Sequence, residues 1–230
     1  MNKIVVLIIS LFLSNLLFAQ YTRNGGNSLN PVYFQKLNAI TITQNESRDL
    51  IGSPFIEEAL QKGTLFLSGT DTQDFFMRYN VLEQRVEFSD NNDVTTLKIL
   101  PKEDRFVIQI DDKIYQYLSL EDLEPNYYEI IKTFDENTLL LVRHTKNIIK
   151  VEQKNSYTRN IQKARILSKV KIFFLNQDKA IELDNHKKRS IKAFPESTQP
   201  QLKTYIKKNK IKFNDDYKGL IALINKYITL

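Results

Sequence analysis

The 230-residue chain contains no cysteine and no tryptophan, and only two histidines, six glycines and six prolines. Without cysteine there is no disulfide framework, thiolate metal site, cysteine nucleophile or lipid-modified cysteine. The fold must be held by burial of apolar surface. His144 and His186 stand too far apart for paired ligands on adjacent helical turns, so no metal site is expected. So few glycines leave little room for phosphate-cradling loops, and no phosphate loop, dinucleotide fingerprint, Gly-x-Ser-x-Gly or Ser-x-x-Lys signature occurs. No cofactor is implied. The missing tryptophan also removes the usual stacking platform for sugars, although tyrosine can substitute.

What is present begins with an apolar run. Met1-Asn2-Lys3 gives a positive start, Ile4 to Leu13 is almost wholly apolar, and Ser14 to Ala19 ends on a small residue before Gln20. This pattern predicts a cleavable secretory signal over 1–19, and with it a protein of the periplasm, cell surface or exterior. No later run is apolar enough to span a bilayer as a helix, so no transmembrane anchor is expected after cleavage.

Charge is divided along the chain. Residues 20–144 hold 12 Lys and Arg against 20 Asp and Glu, a net of −8, whereas 145–230 hold 20 against 7, a net of +13. The overall +6 therefore conceals an acidic front and a basic back. Such a division suits attraction between the halves or an anionic partner for the tail. Lys187, Lys188, Arg189, Lys192, Lys207, Lys208 and Lys210 form the expected basic patch. Lysines scattered one or two apart on amphipathic helices read first as a solvated face, and the alternative is a partner in the cell envelope, an anionic component such as lipopolysaccharide, anionic lipid or acidic glycan. No nucleic-acid motif accompanies the patch.

Periodicity predicts an α+β protein dominated by an antiparallel meander of about ten short strands. After a flexible, Asn- and Gly-rich leader over 20–30, a β-rich domain is expected over 31–153. Its strands are read at 39–43, 64–68, 75–79, 84–89, 95–100, 106–110, 114–118, 127–134 and 138–144, with a helical turn at 55–60. Asp111-Asp112 gives the clearest two-residue hairpin turn. Residues 154–169 lack a clean period and read as a linker. A C-terminal unit over 170–230 then carries two strands, at 171–175 and 180–183, and two to three helices. The last helix, 215–228, is capped by Asn214, and a preceding one has Pro200 in its first turn.

Candidate chemistry is sparse. Glu57-Glu58, Glu83, Glu87, Asp111 and Asp112 supply carboxylates for a glycosidase, which needs two such groups across one cleft. Asp111-Asp112 is better explained as a hairpin turn and Glu57-Glu58 as an exposed helical turn. Asp90-Asn91-Asn92-Asp93 reads as a turn rather than a calcium loop. His144 reads as a strand-end polar residue and His186 as part of a solvated basic face.

The segments Gly52-Ser53-Pro54-Phe55-Ile56, Lys62-Gly63, Met77-Arg78-Tyr79-Asn80, Val86-Glu87-Phe88 and Tyr205 to Lys210 resemble an uncharacterised family of exported bacterial envelope proteins. The resemblance implies an envelope location and carries no catalytic residues. Arg78, Tyr79 and Asn80 are the candidate ligand-binding residues, with a structural role favoured: Tyr79 packing inward and Arg78 paired to Glu87 across a hairpin. The function expected is a non-catalytic binding or structural role in the envelope. Its alternatives are a carrier of apolar ligands or lipid and a carboxylate-dependent glycoside hydrolase.

Overall fold

In a computed structural model, the structure describes residues 40–42, 50–67, 72–149, 164–214 and 216–230. The signal, the leader and most of the proposed linker lie outside these residues.

The strands are β1 (Ile40–Ile42), β2 (Leu50–Ile51), β3 (Gln61–Phe66), β4 (Thr72–Asn80), β5 (Arg85–Ser89), β6 (Leu97–Ile99), β7 (Val107–Ile110), β8 (Lys113–Leu120), β9 (Leu123–Asp135), β10 (Thr138–Ile149), β11 (Ala164–Asn176) and β12 (Lys179–Leu183). Three helices follow: α1 (Lys187–Lys192), α2 (Gln199–Lys208) and α3 (Lys218–Ile228). The α+β class and the strand-rich composition match the expectation. All strands join one sheet in the order β1-β6-β5-β4-β3-β7-β8-β9-β10-β11-β12, with β2 parallel to the start of β11 and every other pairing antiparallel.

The order corrects the expectation of a single meander. Strands β3 to β6 form one meander and β7 to β12 a second, and the two are joined where β7 pairs with β3, Gly63 opposite Ile110. Three of the strands are also long: β9 and β11 have 13 residues and β10 has 12. Residues 164–169, expected within the linker, lie instead in β11. They are held there because Thr145 to Ile149 on β10 continue to pair with Lys169 to Arg165. The sheet thus runs unbroken from the β-rich region into the C-terminal strands.

The sheet curls. From β4 to β9 there are four strand steps, which in a flat sheet separate the chains by roughly 19 Å, yet the rings of Tyr79 on β4 and Tyr127 on β9 lie 5.6 Å apart in edge contact. Shifts of register between β8 and β9 and twice between β9 and β10 supply the extra local twist. Inside the curl, alternate strand residues Leu65, Phe75, Met77, Tyr79, Val86, Phe88, Ile108, Tyr115 and Tyr127 form a core that Val81, Leu100 and Phe106 complete from the connections. Gly63 sits where that core is tightest. A Cβ there would meet the Gln109 carbonyl at 2.6 Å and the Met77 sulfur at 3.0 Å.

Beyond β9 the same face is covered by helices. Leu140, Val142, Ile172 and Phe174 pack against Ile191, Phe194, Leu202, Ile206, Leu220, Leu223 and Ile224. Apolar residues three and four apart put one stripe of each helix on the sheet. Pro200 falls in the first turn of α2, as expected. The last helix begins later than expected: Tyr217, in a left-handed conformation (φ 59), precedes Lys218, whose N–H is accepted by Asp216. A side chain that caps its own turn so closely leaves Asn214 outside the helix. Residues 55–60 form bends rather than a helical turn, because Phe55 bridges to Asn80 and takes the segment out of helical register.

Candidate functional site

The three candidate binding residues lie at the end of β4, beside β5. The register sets Arg78 opposite Glu87 and Asn80 opposite Arg85. The cross-strand pair expected between Arg78 and Glu87 is present, but it is buried rather than exposed, at 5% and 1% accessibility. The Arg78 Nε donates to Glu87 Oε2 at 2.8 Å, its Nη1 donates to the Glu58 carbonyl at 3.0 Å, and its guanidinium stacks 3.9 Å from the centre of the Phe55 ring. Arg85 Nε donates to the other oxygen of Glu87 at 2.9 Å, and Asn80 Nδ2 donates to that oxygen at 3.3 Å.

One buried carboxylate thus pairs with two guanidinium groups, the buried Arg78 and the part-exposed Arg85, and receives an amide. A charge removed from water is costly unless paired and fully hydrogen-bonded, and Glu87 meets both conditions. Tyr79 is likewise occupied: its hydroxyl lies 3.1 Å from Gln84 Oε1 and 3.3 Å from Asn126 Oδ1. Burial pushes its hydroxyl far above the ordinary tyrosine pKa, with the neighbouring Tyr127 adding to the effect. Asn80 Oδ1 accepts from the Glu83 N–H at 3.0 Å. These groups lock the strand end to the 53–58 segment, where the Val81 and Leu82 N–H groups both donate to the Pro54 carbonyl.

A cleft of about 390 Å³ opens beside this lock, where residues 56–61 pass the β7–β8 turn. Its lining includes Glu57, Arg78, Asp111, Asp112, Lys113 and Tyr115. Carboxylates that are distant in sequence, Glu57 and those of the Asp111-Asp112 turn, therefore line one cleft. Asp111 takes the left-handed conformation that a two-residue hairpin needs (φ 54). Burial holds the Tyr115 hydroxyl neutral well beyond ordinary tyrosine, reinforced by the charges of Glu129, Asp112 and Glu57 and by Tyr79.

Sequence reasoning missed a pair farther round the curl. His144 lies within β10 rather than at a strand end, and its Nε2 is 2.6 Å from Glu129 Oε2. Two positions on, Lys146 donates to the carbonyls of Ser53 (2.9 Å) and Phe55. Desolvation lowers the Lys146 pKa, against the opposing pull of Glu58 and Glu57. The signal for these contacts was the polar alternation His144, Lys146 on an apolar strand. Their partners could not be read because register shifts intervene. Among the described residues, no group of three or more His, Asp or Glu side chains is arranged to hold a metal.

The basic patch is on the helices. Lys187, Lys188, Arg189 and Lys192 of α1, Lys207 and Lys208 of α2, and Lys210 just beyond are all exposed. Residues 185–214 carry nine Lys and Arg, with Lys203 and Lys212 completing the set, against one carboxylate, Glu196. Of the nine, Arg189 alone forms an ion pair among the described residues, with Asp184 at 2.9 Å. The segment Asp90 to Asp93 is a turn, as expected: Asn92 has a positive φ, and Asp93 accepts from the Thr95 N–H.

A curled, mostly antiparallel sheet with helices on one end of one face defines the class of fold. No family model, curated protein or solved structure matches the chain.

Proposed function

We propose that this is an exported, non-catalytic protein of the cell envelope that binds an anionic envelope component through the outer surface of its helices. The observation that carries the reading is the one-signed surface over residues 185–214, where eight of nine cations have no carboxylate partner among the described residues. The helix dipole accounts for Arg189 and Lys192 in the last turn of α1 and for Lys207 and Lys208 in the last turn of α2, but not for Lys187, Lys188, Lys203, Lys210 and Lys212. The polar residues first suspected of binding, Arg78, Tyr79 and Asn80, fit a structural role because their donors and acceptors are engaged within the protein. The apolar run at 1–19 supports export.

Cell fractionation tests the reading. The expected result is protein beyond the inner membrane, retained on envelope material and released as salt rises, because attraction between exposed charges is screened. Intact Met1-bearing protein confined to the cytosol overturns it.

A second reading, a carboxylate-dependent glycoside hydrolase, is favoured by one observation: the cleft gathers Glu57, Asp111 and Asp112. Turnover of a glycan library that is lost in Asp111→Asn, Asp112→Asn and Glu57→Gln variants would establish it in place of the first. A carrier of apolar ligands fits less well, since a ligand in this cleft would strip water from Glu57, Asp111, Asp112 and Lys113.

A further inference from the structure

Two contacts determine how the helix cations are distributed. Asn185, just before α1, donates through Nδ2 to the Asn214 carbonyl at 2.6 Å, which brings the start of α1 to the segment following α2. Lys187 and Lys188 therefore share one end of the helical layer with Lys210 and Lys212. At the other end, the rings of Phe194 and Tyr227 lie 4.6 Å apart and tie the end of α1 to the end of α3. Lys192 is two residues from that contact on one side, and Ile228 one residue from it on the other. The exposed cations give these helices a one-signed surface, a band of charge, while Ile191, Leu202 and Ile206 are buried on the sheet side.

Apolar side chains are exposed at the end of α3, next in sequence to the Phe194–Tyr227 contact. Ile228 and Leu230 are 45% and 48% exposed, although the rest of the α3 stripe, Leu220, Leu223 and Ile224, is fully buried. Composition also separates the candidate anions. Eight of the nine cations are lysines, compact point charges that suit many diffuse phosphates better than the bidentate geometry that arginine provides for single carboxylates. A soluble polyanion offers nothing to two exposed aliphatic groups. A bilayer offers both a negative surface and an apolar layer a few ångströms beneath it.

We infer that the α1–α2 band docks on the surface of an anionic phospholipid bilayer, with Ile228 and Leu230 entering the headgroup–acyl boundary. The inference rests on the proposed anionic partner and specifies its kind. The protein lies on the membrane in this arrangement and does not cross it. Among the described residues no helix is long and apolar enough to cross.

The absence of tryptophan allows a clean test. The protein isolated from cells, and an Ile228→Trp variant of it, are titrated with vesicles of phosphatidylglycerol and phosphatidylcholine in equal parts, with pure phosphatidylcholine vesicles, and with heparin as a soluble polyanion. The expected result is binding to the mixed vesicles alone among the two lipids, a blue shift of the single tryptophan, and quenching by brominated acyl chains. Each lysine removed from the band should weaken vesicle partitioning by roughly five-fold, so Lys187→Gln/Lys188→Gln/Lys192→Gln loses on the order of a hundred-fold. Ile228→Ser/Leu230→Ser should retain heparin binding and lose vesicle binding. Binding to heparin with no tryptophan shift on vesicles overturns the bilayer inference and leaves the anionic partner standing. Failure to bind either overturns both, and equal binding to both lipids overturns the electrostatic basis.

Discussion

The curl of β3 to β9 and the helix-covered end of the sheet handle polar groups in opposite ways. In the curl, charged and hydroxyl groups are drawn inward and satisfied against one another: Glu87 holds Arg78 and Arg85, and Tyr79 reaches Gln84 and Asn126. At the helical end the interior is purely apolar, apart from Ser190, and among the described residues eight of the nine cations of residues 185–214 are left outside without a carboxylate partner. The difference separates charge used for architecture from charge available to a ligand. Selection for stability alone would not place, over thirty residues, eight cations without a carboxylate partner among the described residues, since like charges at this density repel.

Several substitutions break or sharpen this contrast. The largest effect is expected at Glu87. Glu87→Ala leaves the buried Arg78 guanidinium without its carboxylate and should cost about 3–5 kcal/mol, read as a lower midpoint in urea. In the helical core, Leu220→Ala removes a fully buried side chain and should cost about 2–5 kcal/mol, whatever the pH.

The curl should also fail in alkali. Burial raises the pKa values of Tyr79, Tyr115 and Tyr127 above that of tyrosine in an unfolded chain. A raised folded-state value means the fold binds the proton more tightly than the unfolded chain does, so its contribution is complete below about pH 10 and declines as pH rises past that point. Ultraviolet titration should therefore show three of the 11 tyrosines ionising only as the protein unfolds, and at lower pH once Glu87 is removed. The smallest effect is expected at the exposed band: Lys188→Gln should change stability by less than about 0.5 kcal/mol while weakening anion binding. A large loss of stability there would erase the distinction between the two regions.

How much was legible follows the range of each interaction. The Asp111-Asp112 hairpin, the alternation of β4, β5 and β7 and the apolar stripe of α3 depend on neighbours in sequence, and all were readable. The Arg78–Glu87 pair was readable because one short hairpin joins the strands. Its burial was not, since that depends on Phe55 and Glu58 arriving from twenty residues upstream. The β3–β7 junction and the Glu129–His144 pair depend on long-range register and bulges, which leave no local pattern. Residues 164–169 read as a linker because their side chains are mostly polar or exposed, while their backbone is held by β10. The basic patch was plain from composition. That its members form one band was not, as this depends on the Asn185–Asn214 and Phe194–Tyr227 contacts.

The pairing of Gly63 with Ile110 has a temporal consequence. Each meander can zip through short turns, but β3 meets β7 only after a loop of nearly fifty residues has closed, at an entropic cost that no local contact offsets in advance. This seam should therefore close later than the hairpins on either side of it. Until it closes, the aromatic lining of Phe75, Phe88 and Tyr115 remains open to solvent, and to any chain with a free strand edge nearby.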